Sequence, residues 1–220
     1  MDRSRKHFYE KIKNQHNNCD LKKSNLKNHD ITEVAEYFET VLLRDEFTLD
    51  IWYEKIYFVN AAIEDYKIKS GEITYKYRIP NSEEICVIEC FSYDKKNERI
   101  ASNDLNKSNA KARILSVARA ILFRSISMIF ESDAYQCINV INLTGYLNYF
   151  DSALGTWQNV NVIKLRINKD DYLKIVPENA DIDELFMRVL ECKESAGLYD
   201  KQPYELNEVN LNKKNRSVKA

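Results

Sequence analysis

The sequence predicts an α+β protein in which a mainly antiparallel sheet packs against a long central helix, with further helices toward both ends. Apolar residues recur at helical spacing over roughly six turns between Asn109 and Ser132, which indicates the long helix. Shorter segments alternate apolar and polar residues, which indicates strands with one face exposed to water. Turn-forming residues separate these segments.

Length and composition predict one globular domain between two polar tails. The chain has 220 residues, of which 44% are hydrophobic and 30% charged, and its formal net charge is −1. Residues 1–29 and 206–220 are polar, so we expect tails on either side of a domain at residues 30–205. The near-neutral total disfavours a dedicated nucleic-acid coat but permits a local basic face.

Two helices are predicted in the first part of the domain. Asp30 occupies an N-cap position and apolar residues at helical spacing follow it, which predicts a helix at residues 31–44. Apolar residues from Leu49 to Lys67 fit helical spacing better than strand alternation, which predicts a second helix despite the β-favouring aromatic residues.

An antiparallel hairpin is predicted next. Isoleucine and tyrosine alternate with polar residues from Glu72 to Ile79, and Pro80 with Asn81 supplies turn chemistry. The nearly continuous apolar run at residues 85–91 predicts a buried return strand. Residues 94–109 are polar and predict a surface loop before the long helix.

The second half of the chain is predicted to contain two strands and two short helices. The strands lie at residues 138–143 and 159–167, with a turn at residues 151–155 between them. The later strand alternates aliphatic with basic residues, which predicts a sheet with one wet side. The helices are predicted at residues 169–175 and 182–193.

Several classes of enzyme lack their sequence signatures in this chain. Its four glycines are too far apart to form the phosphate-binding loop of a P-loop or Rossmann enzyme. All three histidines precede Asp30, which disfavours a histidine-dependent hydrolase and most zinc sites, so we predict no cofactor and no resident metal. The five cysteines are scattered and no signal-like apolar run is present, so we expect reduced thiols, a cytoplasmic location and no membrane contact.

One local pattern suggests a metal-dependent nuclease. Pro80-Asn81 followed by Glu89 in the expected hairpin resembles the metal-binding core of the PD-(D/E)xK nuclease group, with Glu89 as the candidate catalytic residue. This chain has Asn81 and Phe91 where that core requires an acidic residue and a lysine. The alternative is an ordinary strand end with one acidic residue. The neighbouring acids that a divergent site would use are Glu83, Glu84 and Asp94.

The long helix carries basic residues that are candidates for a nucleic-acid contact. These residues are Lys111, Arg113, Arg119 and Arg124. The alternative is a solvated helix face, since these positions do not all lie on one side of the helix. The turn-rich stretch that follows has aromatic residues that would form either a binding surface or one end of the core. They are Tyr146, Tyr149, Phe150 and Trp157.

Four short motifs follow one another from the end of the long helix. They are Phe130-Glu131-Ser132-Asp133 at the helix end, Asn142-Leu143-Thr144-Gly145 at a strand end, the turn Asp151-Ser152-Ala153-Leu154-Gly155, and the strand Val160-Asn161-Val162-Ile163-Lys164-Leu165. This order resembles a domain found beside the catalytic domain in some Mrr-type restriction-endonuclease-like proteins. The resemblance covers about half of the chain.

The resemblance implies a module that lacks the nuclease centre, with any chemistry supplied by a partner. We therefore expect a non-catalytic accessory or assembly module in prokaryotic restriction or anti-phage defence. Such a module binds another protein chain or itself and contacts DNA or RNA. Two alternatives stay open: a divergent metal-dependent nuclease centred on Glu89, and an interaction protein with no nucleic-acid role.

Overall fold

A computed structural model describes residues 31–44, 47–50, 55–57, 59–67, 69–81, 84–134, 136–177 and 179–195. The tails predicted at residues 1–29 and 206–220 lie outside this part of the chain. The helices of the described residues are α1 (Ile31–Leu43), α2 (Lys107–Ser132), α3 (Lys169–Tyr172) and α4 (Ile182–Arg188). The strands are β1 (Phe47–Asp50), β2 (Lys55–Tyr57), β3 (Ala61–Lys67), β4 (Glu72–Arg78), β5 (Ile88–Asp94), β6 (Arg99–Asp104), β7 (Val140–Asp151), β8 (Thr156–Asn168) and β9 (Glu191–Glu194).

A five-stranded sheet with the order β3-β4-β7-β8-β9 forms the centre of the fold. Neighbouring strands are antiparallel except for β4 and β7, which are parallel. Two short antiparallel pairs, β1 with β2 and β5 with β6, form separate two-stranded sheets. The predicted fold class, a mainly antiparallel sheet with a long central helix, is confirmed.

The long helix α2 covers one face of this sheet. It begins where the Asn106 side chain accepts a hydrogen bond from the Asn109 backbone N–H. Its Ser125 hydroxyl lies 2.9 Å from the Tyr75 hydroxyl of β4. A Cβ atom at Gly145 of β7 would lie only 3.2 Å from a Leu122 methyl group, so the glycine permits close packing of helix on sheet. The predicted helices at residues 31–44 and 109–132 are thereby confirmed as α1 and α2.

The helix predicted at residues 49–67 is wrong. This segment contains the end of β1, all of β2, and β3. The backbone of β3 pairs with β4 along the whole strand, with Ala61 opposite Tyr77 and Lys67 opposite Glu72. Pairing with a distant, strongly alternating strand therefore overrides the local helical spacing.

The hairpin predicted from residues 72–79 and 85–91 is also wrong. Both edges of β4 are occupied, by β3 and β7, so the following apolar run cannot pair with it. That run instead contributes to β5, which pairs with β6 and is largely exposed. The predicted loop at residues 94–109 accordingly contains a turn, the strand β6 and the first residues of α2.

The C-terminal elements follow the prediction with two longer strands and two shorter helices. The helix predicted at residues 169–175 ends at Tyr172. The strand predicted at residues 138–143 continues as β7 to Asp151, and the strand predicted at residues 159–167 lies within β8. The helix predicted at residues 182–193 ends at Arg188, and its last residues form the edge strand β9 beside β8. Among the described helices, none combines the length and the apolar character that a membrane crossing requires.

Candidate functional site

The two faces of the five-stranded sheet differ in what covers them. All four described helices lie on one side. Tyr37 of α1 donates to the Ser132 carbonyl of α2, Tyr172 of α3 stacks on Phe130, and α4 is joined to α2 by an ion pair. No described helix packs on the other side, which we call the open face. The cross-strand register places these central-strand residues on it: Glu72, Thr74, Lys76, Arg78, Val140, Asn142, Thr144, Tyr146, Asn148, Phe150, Trp157, Asn159, Asn161, Lys164, Arg166 and Asn168.

Every asparagine of β7 and β8 lies on the open face. These residues are Asn142, Asn148, Asn159, Asn161 and Asn168. Asparagine is depleted in strands, so strand propensity does not explain its concentration here. Its amide both donates and accepts hydrogen bonds. Local departures from propensity of this kind are expected where a surface has a binding function.

A hydrogen-bonded network holds Arg166 at one end of the open face. The Asn142 amide donates to the Glu72 carboxylate at 2.6 Å, and the Arg166 guanidinium donates to the same carboxylate oxygen at 2.9 Å. Arg166 also donates to the Asn142 carbonyl oxygen at 3.0 Å. Burial acts to raise the pKa of Glu72, but the hydrogen bonds from Asn142 and Arg166 outweigh it, so the pKa is lowered. The guanidinium is therefore pre-positioned.

Further cations occupy the middle of the open face. The Lys76 ammonium lies 2.7 Å from a Glu64 carboxylate oxygen, and Lys164 lies opposite Thr144 on the neighbouring strand. No ion pair recorded among the described residues involves Lys164. Burial raises the pKa of Tyr146, even though the nearby positive charges of Arg78 and Lys76 act to lower it.

An aromatic pair ends the open face where β7 and β8 extend past their neighbours. The ladder of β4 ends opposite Tyr146, so residues 147–151 of β7 pair only with β8. Phe150 and Trp157 face each other there, with ring centroids 5.7 Å apart, and their side chains are 51% and 63% exposed. The Asp151 carboxylate accepts from the backbone N–H groups of Ala153 and Leu154 in the turn beyond them.

The open face thus presents a strip of cations, amides and exposed rings along one strand pair. From Asn142 to Phe150 the strip is roughly 27 Å long at the usual rise of a strand. Cations suit phosphate oxygens, amides suit the edges of bases, and exposed rings suit the faces of unstacked bases.

The basic residues predicted on α2 do not form one surface. Lys111 and Arg113 are exposed near the start of the helix, where the Arg113 guanidinium donates to the Ile88 carbonyl at 2.9 Å. Arg124 is exposed beside a groove of about 540 Å³ between α2 and the segment around α4. Arg119 is buried and turned toward α4 and β9.

Arg119 is held by two carboxylates and a ring. Its guanidinium donates to both oxygens of Glu194, at 2.8 and 2.7 Å, and to Asp183 at 2.7 Å. The Phe186 ring lies 5.7 Å from its central carbon. The hydrogen bonds with Glu194 raise the Arg119 pKa further above its already high value. This geometry favours a structural role for Arg119.

The candidate catalytic residue Glu89 lies on the exposed strand β5, which belongs to a different sheet from β4. Asn81 is hydrogen-bonded to Glu84 and donates to the Asn148 carbonyl, and Glu84 is also paired with Arg78. Asp94 accepts hydrogen bonds within its own turn, and Glu83 lies outside the described residues. Across the part of the chain that the structure describes, no three His, Cys, Asp or Glu side chains form a metal-binding group.

The motif residues that carry the Mrr-type resemblance have structural roles. The buried Asp133 carboxylate accepts from the backbone N–H groups of Cys137 and Ile138, each at 2.9 Å, and from the Lys169 ammonium at 3.1 Å. Gly155 adopts a φ of 66° in the turn after β7, which a glycine tolerates best.

Burial raises the pKa of the Cys137 and Cys192 thiols to about 12, so both are protonated at neutral pH.

Sequence analysis identified the aromatic residues Phe150 and Trp157 but missed the asparagines of the open face. The available signal was the recurrence of asparagine in two strongly alternating segments, which strand propensity disfavours. The shared face becomes evident only with the cross-strand register.

Comparisons of the chain with protein-family models, with curated proteins and with solved structures find no match.

Proposed function

We propose that this protein is a non-catalytic accessory module that contacts single-stranded nucleic acid through the open face. The observation that carries the proposal is the placement of every asparagine of β7 and β8 on one uncovered face, which also carries cations and an exposed aromatic pair. Resemblance to accessory domains of Mrr-type proteins supports a setting in prokaryotic restriction or anti-phage defence.

A single strand fits this surface better than a duplex does. Exposed rings such as Phe150 and Trp157 stack on bases whose faces are accessible, and a duplex hides those faces. The strip also follows one strand pair, as an extended backbone requires. We therefore expect single-stranded DNA or RNA to bind more tightly than duplex of the same length.

The charge of the site limits how strongly it binds. Lys76 and Arg166 are already paired with acids, and the whole chain carries a net charge of −1. With roughly two phosphate contacts, the logarithm of the binding constant should fall with the logarithm of salt concentration with a slope of about −1.4. A much steeper slope would indicate a different, more basic surface.

The proposal assigns no chemistry to Glu89. Its isolation on β5 supports a non-catalytic module, with a nuclease supplied by another chain. A divergent nuclease would instead cleave an oligonucleotide with Mg²⁺ or Mn²⁺ and lose that activity in Glu89→Ala. Metal-dependent cleavage of this kind would replace the proposed function.

Fluorescence anisotropy with a labelled 15-nucleotide single strand, of DNA and of RNA, tests the contact at low salt. We expect Lys164→Glu to weaken binding at least fivefold, because it reverses a charge in the centre of the strip. The matched control is the double variant Lys111→Ala, Arg124→Ala on α2. Loss of binding in the control, with retention in Lys164→Glu, would move the site to the helix and refute the proposal.

A further inference from the structure

The hairpin of β5 and β6, with its turn at residues 95–98, is an amphipathic ribbon. The register pairs Tyr93 with Ile100 and Phe91 with Ser102, which places Phe91, Tyr93 and Ile100 on one face. Their exposures are 49% for Phe91, 61% for Tyr93 and 74% for Ile100. The opposite face is polar and small, with Cys90, Ser92, Asp94, Arg99, Ala101 and Asn103. The ribbon therefore turns its apolar face to solvent.

This ribbon forms its own two-stranded sheet, separate from the central one. At its base the Arg113 side chain donates to the Ile88 carbonyl and the Leu105 N–H donates to the Val87 carbonyl. An isolated two-stranded hairpin is marginally stable in water unless one face is covered. The apolar face is suited to a partner surface.

Charges at the two ends of the ribbon are complementary to each other. Lys95, Lys96 and Glu98 lie exposed in the turn at the tip, so the turn carries a net positive charge. Asp104 lies exposed at the base, and its pairing with Ile88 places it on the apolar face. An antiparallel arrangement of two such ribbons brings the tip of each to the base of the other.

We propose that the apolar face of this ribbon docks on the same face of a second copy of the chain. A two-fold axis between the Tyr93–Ile100 and Phe91–Ser102 pairs stacks the apolar residues of both copies. The same axis places Lys95 and Lys96 beside Asp104 of the partner subunit. The polar face stays in water on both sides of the dimer.

The area of the ribbon sets the strength of this association. Covering the exposed parts of the three apolar side chains buries roughly 350 Å² per copy. A stable interface buries about 800 Å² per partner. The dimer is therefore weak and dependent on concentration.

Sedimentation velocity of the full chain from about 1 to 300 μM tests the proposal. We expect a monomer at the low end, a dimer at the high end, and at least a tenfold larger dissociation constant for Ile100→Glu. Asn103→Glu is the matched control, because it adds the same charge to the polar face of the same strand and should leave association unchanged. Circular dichroism establishes that both variants are folded.

A charge exchange provides a second test that does not depend on the apolar residues. Asp104→Lys alone should weaken the dimer, and the triple variant with Lys95→Glu and Lys96→Glu should restore it. A chain that stays monomeric throughout the range refutes the proposal. So does a dimer that tolerates Ile100→Glu but dissociates in Trp157→Ala, since the interface would then lie at the end of the open face. Lys164→Glu, the variant that tests nucleic-acid binding, should leave sedimentation unchanged. The dimer and the nucleic-acid contact can therefore fail independently of each other.

Discussion

The covered and open faces of the central sheet are made by alternate residues of the same strands, yet they differ in composition and role. On β7 the covered positions Ile141, Leu143 and Leu147 are buried and apolar. The intervening open positions include Asn142 and Asn148, half-buried and hydrogen-bonded. Burial of apolar area stabilises the fold from one side only. The other side carries mostly polar groups, which suits a binding surface.

The largest expected effect on stability comes from truncating a buried residue of the covered face. Leu143→Ala should lower the free energy of unfolding by about 2 to 5 kcal/mol, because it leaves a cavity under α2. Thr144→Ala, the next residue on the open face, should change it by less than about 0.5 kcal/mol. Urea denaturation of both variants measures the difference. Equal losses would show that the open face is part of the core.

A second, smaller effect is expected at Arg119. Arg119→Met should destabilise the fold by roughly 1 to 3 kcal/mol, because Asp183 and Glu194 lose their shared donor. The loss stays moderate because Asp183 is 45% exposed. Oligonucleotide anisotropy should be unchanged in this variant under conditions where it is folded. A loss of oligonucleotide binding by folded Arg119→Met would instead show that Arg119 contributes to the nucleic-acid contact.

Removing asparagine side chains from the open face should weaken nucleic-acid binding and leave stability nearly unchanged. The double variant Asn148→Ala, Asn159→Ala should weaken single-strand binding about three- to tenfold, because two amides that can contact bases are removed. Its stability should change little, since the hydrogen bond between the two amides is exposed. Gln158→Ala removes an amide from the opposite face of β8 and serves as the control. Anisotropy titrations that give equal losses for both variants would contradict a face-specific contact.

The smallest effect concerns pH. The pKa of Glu72 is lower in the folded chain than its ordinary value of 4.5, so its network stabilises the fold above that value. This contribution is lost as the pH falls through the lowered folded pKa. Glu72→Gln should therefore reduce the fall in stability between about pH 5 and pH 3 by less than about 1 kcal/mol. Thermal unfolding across that range provides the measurement, and a wild-type slope in the variant would contradict the assigned role.

Elements with a strong local signal were predictable from the sequence. The helix α2 has a wide apolar stripe and an asparagine cap, and the β7–β8 hairpin has turn residues Asp151 and Gly155 between alternating strands. These features are local, so neighbouring residues alone specify them. The fold class followed from the same elements.

Strand partners were not predictable in this way. The parallel neighbour of β4 is β7, more than sixty residues later, and nothing within β4 specifies that choice. The error at residues 49–67 has the same origin, because β3 acquires its conformation by pairing with β4. The open face was missed for this reason too. Its asparagines come together only through the register of β7 with β8.

The fluorescence of Trp157 is the most direct test of whether single-stranded nucleic acid contacts the open face. In a Trp52→Phe background, Trp157 is the single tryptophan of the chain, and it lies at the exposed end of the open face. A single strand that stacks there should quench its emission with the same dissociation constant that anisotropy gives. Quenching that is absent from a duplex titration and from Lys164→Glu would support the open face as the contact. Oligonucleotide binding that leaves Trp157 emission unchanged, or no binding at low salt, would contradict it.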